Sequence, residues 1–313
     1  FSFAMTASEV VIIRNGTVYR WDGTTFSDST DADLESPDYV STLNNQAIYD
    51  GSGQRFVTSS AGNLTAVNAL DYASKESQGG NLVRPYVFKE TLYLFGQFSI
   101  EQWWTSGVGN PPFDRVQGGL INRGLLAPRS VSHNENYVYF LGDDYVIYRM
   151  SGGQVQPVST IPITQDIKSY PTFTDAVGFC LTIDAQNHYY IHFPNGKTWV
   201  YKETSNAWAE LTTTYKQVSY DATSYVDCYD KQFVAAGGNI YYLDASTFDN
   251  DSDAIVRETT TGLITAGVFD NRLEGNSVEM SDFRIKMHVK GLVSGQGSEP
   301  KVMFRYSDDF GKT

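Results

Sequence analysis

Histidine and cysteine are scarce in this chain, four and two in 313 residues, and each scarcity closes off a class of function. Two cysteines cannot build a disulfide framework, and Cys180 and Cys228 lie far apart with no Cys-x-x-Cys spacing. Both are expected as reduced, half-buried thiols. His188 and His192 would share one face of a helix, but they sit in a strand-like run where four residues span ~13 Å, too far for one metal. His133 and His288 are isolated, so no ligand set forms and no metal or other cofactor is expected. Basic residues are outnumbered, 23 Lys and Arg against 36 Asp and Glu, for a formal charge of −13. A surface of that sign repels phosphate, and with no local basic patch tight nucleic-acid binding is not expected. No apolar run approaches ~18 residues, so no membrane span is expected, and no charged-then-apolar signal segment opens the chain.

Catalytic motifs are missing too. There is no Gly-x-Ser-x-Gly elbow, P-loop or Gly-x-Gly-x-x-Gly; Gly107-Val108-Gly109 runs into Asn110-Pro111-Pro112 and reads as a turn. Asp249, Asp251 and Asp253 begin like a calcium loop, but Ala254 stands where glycine is needed and Thr260 where the bidentate glutamate belongs. They are expected as a solvated acidic turn, as are Asp28, Asp31 and Asp33. Helical periodicity is poor: the best candidate, Thr164 to Tyr170, is at most a turn or two before Pro171.

Aromatic residues and turn signals are plentiful, with 21 tyrosines and 27 glycines. Six hairpins can be laid side by side. Val11–Arg14 and Thr17–Trp21 flank Asn15-Gly16, a type I′ turn signal. Arg55–Thr58 and Leu64–Val67 flank Gly62-Asn63. The third lies in the stretch Lys89–Gly124, the fourth joins Tyr137–Leu141 to Tyr145–Met150, the fifth His188–Phe193 to Thr198–Tyr201, and the sixth Phe233–Ala236 to Ile240–Leu243. They recur roughly every 36 to 52 residues, near the ~40–45 of a four-stranded propeller blade. Stretches such as Ala176–Ile183 and Ser219–Cys228 leave room for further strands. The expected fold is an all-β propeller of six or seven four-stranded blades over residues 1–243. Residues 244–313, including the alternating strand Ser281–Val289, are expected to form an insertion plus a last blade or the start of a second β unit. The chain opens on Phe1 and stops inside Ser307–Thr313, an Asp-box-like turn without its final Trp, so a fragment of a longer protein is expected.

Within Lys89–Gly124, Trp103 and Trp104 point to opposite sides of a strand, so one enters a core while the other needs a covering neighbour or partner. Trp103 and Trp104, the tip Pro111-Pro112-Phe113, and Arg115, Arg123 and Arg129 are the candidate partner interface, because aromatic and Arg side chains dominate binding hot spots. The alternative is that both tryptophans are core and the arginines ordinary surface charges. No catalytic, cofactor-binding or metal residues are assigned.

Tyr93-Leu94-Phe95-Gly96 with Ser99-Ile100-Glu101, Gly153–Pro157, Ile163–Ile167 with Ser169-Tyr170, and Ile191–Pro194 with Val200-Tyr201 together resemble the packaged-DNA stabilisation proteins of short-tailed (podovirus) phages. The similarity runs in order from about Glu9 to about Gly275. It implies a non-enzymatic tail hub, also called a tail accessory factor, present as a homo-oligomeric ring at the portal vertex, with a hexamer as one expected size. Such a hub caps the channel after packaging. Its implied partners are a portal-side adaptor, a tail needle or plug, and a tailspike or fibre; its implied place is the virion tail, assembled in the bacterial host cytoplasm. Two other readings stay open: a sialidase-like or other glycosidase propeller enzyme, motivated by the Asp-box and needing converging arginines and carboxylates, and a carbohydrate-binding receptor protein.

Overall fold

The computed structural model describes residues 1–29, 31–214 and 218–244, and beyond these residues 247, 249–250, 253–255, 258–259 and 303–304. The chain divides into two compact units, Phe1–Thr212 with Ser219–Tyr242, and Thr213–Val218 with Leu243–Thr313. In the second unit the described strands are the two-residue pair Asp249–Asn250 and Asp253–Ala254. Ser281–Val289 and Ser307–Thr313 lie outside the described residues.

The first unit is a β-propeller of six antiparallel blades, each a set of consecutive strands. Blade 1 holds β1 (Ser2–Met5), β2 (Val10–Arg14), β3 (Thr17–Trp21) and β4 (Phe26–Asp28). Blade 2 holds β5 (Val40–Leu43), β6 (Gln46–Asp50), β7 (Arg55–Ser59) and β8 (Val67–Ser74). Blade 3 holds β9 (Leu82–Phe88), β10 (Thr91–Gly96), β11 (Ile100–Thr105) and β12 (Phe113–Ile121). Blade 4 holds β13 (Ser132–His133), β14 (Val138–Leu141), β15 (Ile147–Ser151) and β16 (Gln154–Pro157). Blade 5 holds β17 (Val177–Ile183), β18 (Gln186–His192), β19 (Thr198–Lys202) and β20 (Ala207–Thr214), extended by β21 (Val218–Ser219). Blade 6 shows three strands among the described residues, β22 (Ala222–Cys228), β23 (Lys231–Ala236) and β24 (Asn239–Leu243).

The turns explain the regularity. The first turn of blades 2, 3, 5 and 6 is a residue pair with both φ positive: Asn44-Asn45, Lys89-Glu90, Asp184-Ala185 and Tyr229-Asp230. That geometry matches the right-handed twist of the strands on either side. Asn15-Gly16 does the same between β2 and β3, at φ 50° and 77°. The blades then pack face to face through apolar clusters. One cluster joins blades 1 and 2 around Val11, Tyr49 and Val57, and a second joins blades 2 and 3 around Phe56, Leu92 and Trp103. The third packs Phe95 on Phe140 between blades 3 and 4. Tyr139 and Tyr189 centre the fourth, and Phe179 and Val234 the fifth, between blades 5 and 6.

Three expectations need correction. The second hairpin in register with the others is β6–β7, turning at 51–54, not Arg55–Thr58 with Leu64–Val67. Leu64 sits in the β7–β8 turn, fully buried, where its N–H donates to the Glu9 carboxylate at 2.9 Å and its carbonyl accepts from Tyr49 Oη at 2.6 Å. The helix is longer than expected, Ile161–Ser169, because Pro162 in its first turn has the preset φ that starts helices, and it buries Ile163 and Ile167. Asp31 and Asp33 are not a solvated turn: their carboxylates accept from Val67 N at 3.0 Å and Ala69 N at 3.1 Å and so anchor β8 to the segment that connects β4 to β5.

Candidate partner interface

The strand β11 splits its two tryptophans. Trp103 is 8% exposed and packs edge-on against Phe56 at 5.3 Å, with its indole N–H donating to Glu101 Oε2 at 3.0 Å. Trp104 is 49% exposed and lies opposite Asp114 of β12. Phe113 is buried against Phe56, Pro111 is buried behind a cis Asn110–Pro111 bond, and Pro112 is half-buried. Arg115 is exposed and donates to Ser77 Oγ at 2.7 Å.

A buried polar knot holds this hairpin in place. Glu101 is fully buried, and its second oxygen accepts from Ser77 N at 2.6 Å. Lys75, also enclosed, donates to Gln78 O at 2.9 Å, and desolvation lowers its pKa against the pull of Glu101. The lysine stem crosses Gly96 so closely that a Cβ there would stand 2.3 Å from Lys75 Cε. Gly96 and Glu101 are thus a glycine and a carboxylate required by one crossing chain segment.

The structure therefore brings Trp103, Trp104, Pro111, Pro112, Phe113 and Arg115 together on blade 3, with Trp104 and Arg115 on the surface. It does not bring the other two arginines to them. Arg123 sits beyond β12, 3.4 Å from Asp144 and over the Tyr148 ring at 5.2 Å. Arg129 is exposed in the short turn Pro128–Ser130 that leads into blade 4.

Two exposed residues not singled out from sequence lie on the neighbouring blade 2. Leu70 and Tyr72 of β8 are exposed, Arg55 lies over the Tyr72 ring at 4.7 Å, and Asp71 between them accepts from Asn110 Nδ2 at 2.5 Å. The alternation Leu70-Asp71-Tyr72 was the available signal, since residues two apart share a strand face. The Asp71–Asn110 bond ties the outer strand of blade 2 to the Trp104 hairpin.

Elsewhere, the chemistry is that of a sealed scaffold. Arg84 of β9 stacks between Tyr39 and Tyr86 at 5.2 and 5.1 Å and donates to Pro128 O at 2.8 Å; desolvation lowers its pKa. Burial pushes the Cys180 thiol up to about 12, and both cysteines are free. His133 Nδ1 hydrogen-bonds Tyr86 Oη at 2.6 Å, and His192 Nδ1 bonds Thr198 Oγ1 at 2.8 Å. Among the described residues no group of three or more His, Cys, Asp or Glu is placed to hold a metal. Phe88, Lys89, His133, Asn134 and Glu135 line an open depression of about 390 Å³. No helix among the described residues is long and apolar enough to cross a membrane.

Comparison with known proteins adds the family. The family model described as Phage_stabilise, "Bacteriophage P22 Gp10, beta-propeller", matches residues 1–248. No curated protein matches the sequence. Among solved structures, YCF48 bound to D1 peptide is similar with a TM-score of 0.54 at 12% identity, over 80% of this chain and 82% of that one. BamB from Moraxella catarrhalis is similar with a TM-score of 0.46 at 8% identity, over 78% and 83%. At 12% identity the likeness to YCF48 concerns the fold alone.

Proposed function

Because the chain belongs to the Phage_stabilise family of bacteriophage P22 Gp10 β-propellers and is thereby a phage structural virion protein, we propose that it is a tail hub. In this role it caps the portal channel after DNA packaging. It also joins a portal-side adaptor to a tail needle or plug and to receptor-binding spikes or fibres, as one member of a homo-oligomeric ring.

The match over residues 1–248 carries this reading, since it spans all six blades. The physical character of the molecule is in accord with it. Such a hub works by presenting preformed surfaces, and this one is built for rigidity: five inter-blade cores fix the blades, and the Glu101–Lys75 knot fixes the Trp104 hairpin. Trp104, Leu70, Tyr72 and Arg115 supply the aromatic, aliphatic and guanidinium anchors that protein interfaces favour. The formal charge of −13 suits a protein beside a DNA exit, because an acidic wall does not retain phosphate.

Deleting the gene from the phage tests the proposal. The expected result is heads that package DNA at wild-type levels and then lose it, with adaptor present and needle and spikes absent. Heads that keep their DNA and their needle would overturn it.

A further inference from the structure

The first strands of blades 1 to 5 touch one another in turn. Val40 N of β5 donates to Ser2 Oγ of β1 at 3.1 Å, and Ser41 Oγ of β5 donates to Pro85 O of β9 at 3.0 Å. Tyr86 Oη of β9 bonds His133 Nδ1 of β13 at 2.6 Å, and Cys180 N of β17 donates to Ser132 Oγ of β13 at 3.1 Å. These strands therefore form the inner wall of the propeller, around its axis. Three blades bring cationic and phenolic side chains to one place on that wall: Tyr39 just ahead of β5, Arg84 of β9, and Arg129 in the turn ahead of β13.

Arg84 lacks the acceptors that its charge calls for. Tyr39 and Tyr86 flank the guanidinium at 5.2 and 5.1 Å, and Nη1 donates to Pro128 O at 2.8 Å. Nε is buried with no hydrogen-bond partner, and the edge it shares with Nη2 is the one through which a guanidinium grips an oxyanion by two bonds. A buried polar atom left unpaired marks a place for an ion or a water. Arg129 directly follows the carbonyl that Arg84 holds, and neither arginine belongs to any ion pair among the described residues. Desolvation, and to a lesser degree the charge of Arg129, lower the Arg84 pKa; burial raises that of the Tyr39 phenol while both arginines pull it down. The two guanidiniums and the phenol thus sense one another. Asp38 and Asp50 also lie near Tyr39, but the Asp50 carboxylate is held by the Tyr39 and Asp38 N–H groups at 2.6 and 3.1 Å.

We propose that Arg84 and Arg129, with the Tyr39 hydroxyl beside them, bind a small divalent oxyanion of the phosphate class at the inner wall of blades 2 to 4. Two positive charges without a paired carboxylate match two negative ones, and the free guanidinium edge supplies the two-bond grip. The formal charge of −13 repels a polyanion at long range, so the occupant is a small ion and not nucleic acid. No basic patch announces the site in sequence, because its two arginines are brought together from different blades. The proposal is independent of the hub role.

Isothermal titration calorimetry of the full chain with inorganic phosphate, in chloride buffer of low ionic strength, tests it. Saturable binding at one site per chain is expected, with sulfate competing and acetate not. Arg129→Ala changes an exposed side chain outside the cores and should weaken phosphate binding about tenfold or more. Arg84→Lys keeps the charge but loses the two-bond edge and should weaken it as well. Arg123→Ala, at a side chain already paired with Asp144, should leave the affinity unchanged. Absence of saturable binding, an Arg129→Ala affinity equal to that of the unsubstituted protein, or an equal loss in Arg123→Ala would each overturn the proposal. Acetate bound as tightly as phosphate, or a single-stranded oligonucleotide without terminal phosphates bound more tightly, would overturn it too.

Discussion

The junction of blades 3 and 4 and the Trp104 surface are two parts of one face of blade 3, since Ile100 of the junction and Trp104 lie four residues apart on β11. At the junction, Phe95 and Phe140 are fully buried with their rings 5.3 Å apart, and Ile100, Val138 and Met150 close around them. On the surface, Trp104 projects from a strand whose other tryptophan is core, over a hairpin pinned by a buried carboxylate. The difference teaches where the free energy of this molecule lies. The junctions hold the fold, at roughly 1.5–3 kcal/mol per buried large side chain, while the surface residues are free to answer to a partner.

The largest test of that contrast is Phe140→Ala, which empties the centre of the 3–4 junction and should lower unfolding free energy by about 3–5 kcal/mol in denaturant titration. A loss under about 1 kcal/mol would mean the junctions do not carry the fold. Glu101→Gln comes next. The glutamine keeps the shape but supplies one oxygen for two donors, Ser77 N–H and Trp103 Nε1–H, so one donor meets an NH₂. A loss of about 2 kcal/mol is expected, together with a red-shifted Trp103 emission as the hairpin loosens. An unchanged protein would remove the knot from the account.

Asp50 gives a smaller, pH-dependent effect. Burial pushes its carboxyl up to about 6, against the pull of the Tyr39 and Asp38 N–H groups that donate to it at 2.6 and 3.1 Å. The folded protein thus holds a proton that the unfolded chain has released above about pH 4. Its contribution favours the fold below pH 4 and is lost as pH rises through about 6, with an upper bound of about 3 kcal/mol that the carboxyl's partial exposure reduces. Asp50→Asn should flatten that part of the thermal-melt pH profile; an identical slope in both proteins would place the titration elsewhere. Trp104→Ala is expected to have the smallest effect on folding, within about 0.5 kcal/mol, and to weaken assembly of purified tail components. A large stability loss would show that Trp104 belongs to the fold.

Much of this architecture can be read from the chain because propeller hairpins are local. The Asn15-Gly16 turn, the strand at Ala176–Ile183 and the opposed directions of Trp103 and Trp104 follow from turn chemistry and period alone. The second hairpin is harder, because Gly62-Asn63 is a stronger turn signal than the 51–54 turn that closes β6 and β7. Turns such as Asp184-Ala185 and Tyr229-Asp230 carry no glycine, so their positive φ angles leave no mark in composition. Asp31 and Asp33 look solvated until β8, 36 residues on, arrives to donate to them. The site is less legible than the fold. Where the three arginines go, Arg115 to Ser77, Arg123 to Asp144 and Arg129 to the approach to blade 4, depends on the stacking of blades, and that order is set by contacts remote in sequence.

The most direct measurement of the hub role is a cryo-electron microscopy reconstruction of the virion's portal vertex at a resolution that separates strands. The hub account predicts a ring of copies below the adaptor, each placing a β-propeller there, with the Trp104 surface of blade 3 against another tail protein. A vertex without this propeller, or one that leaves that surface in solvent while the hub is fully assembled, would contradict it.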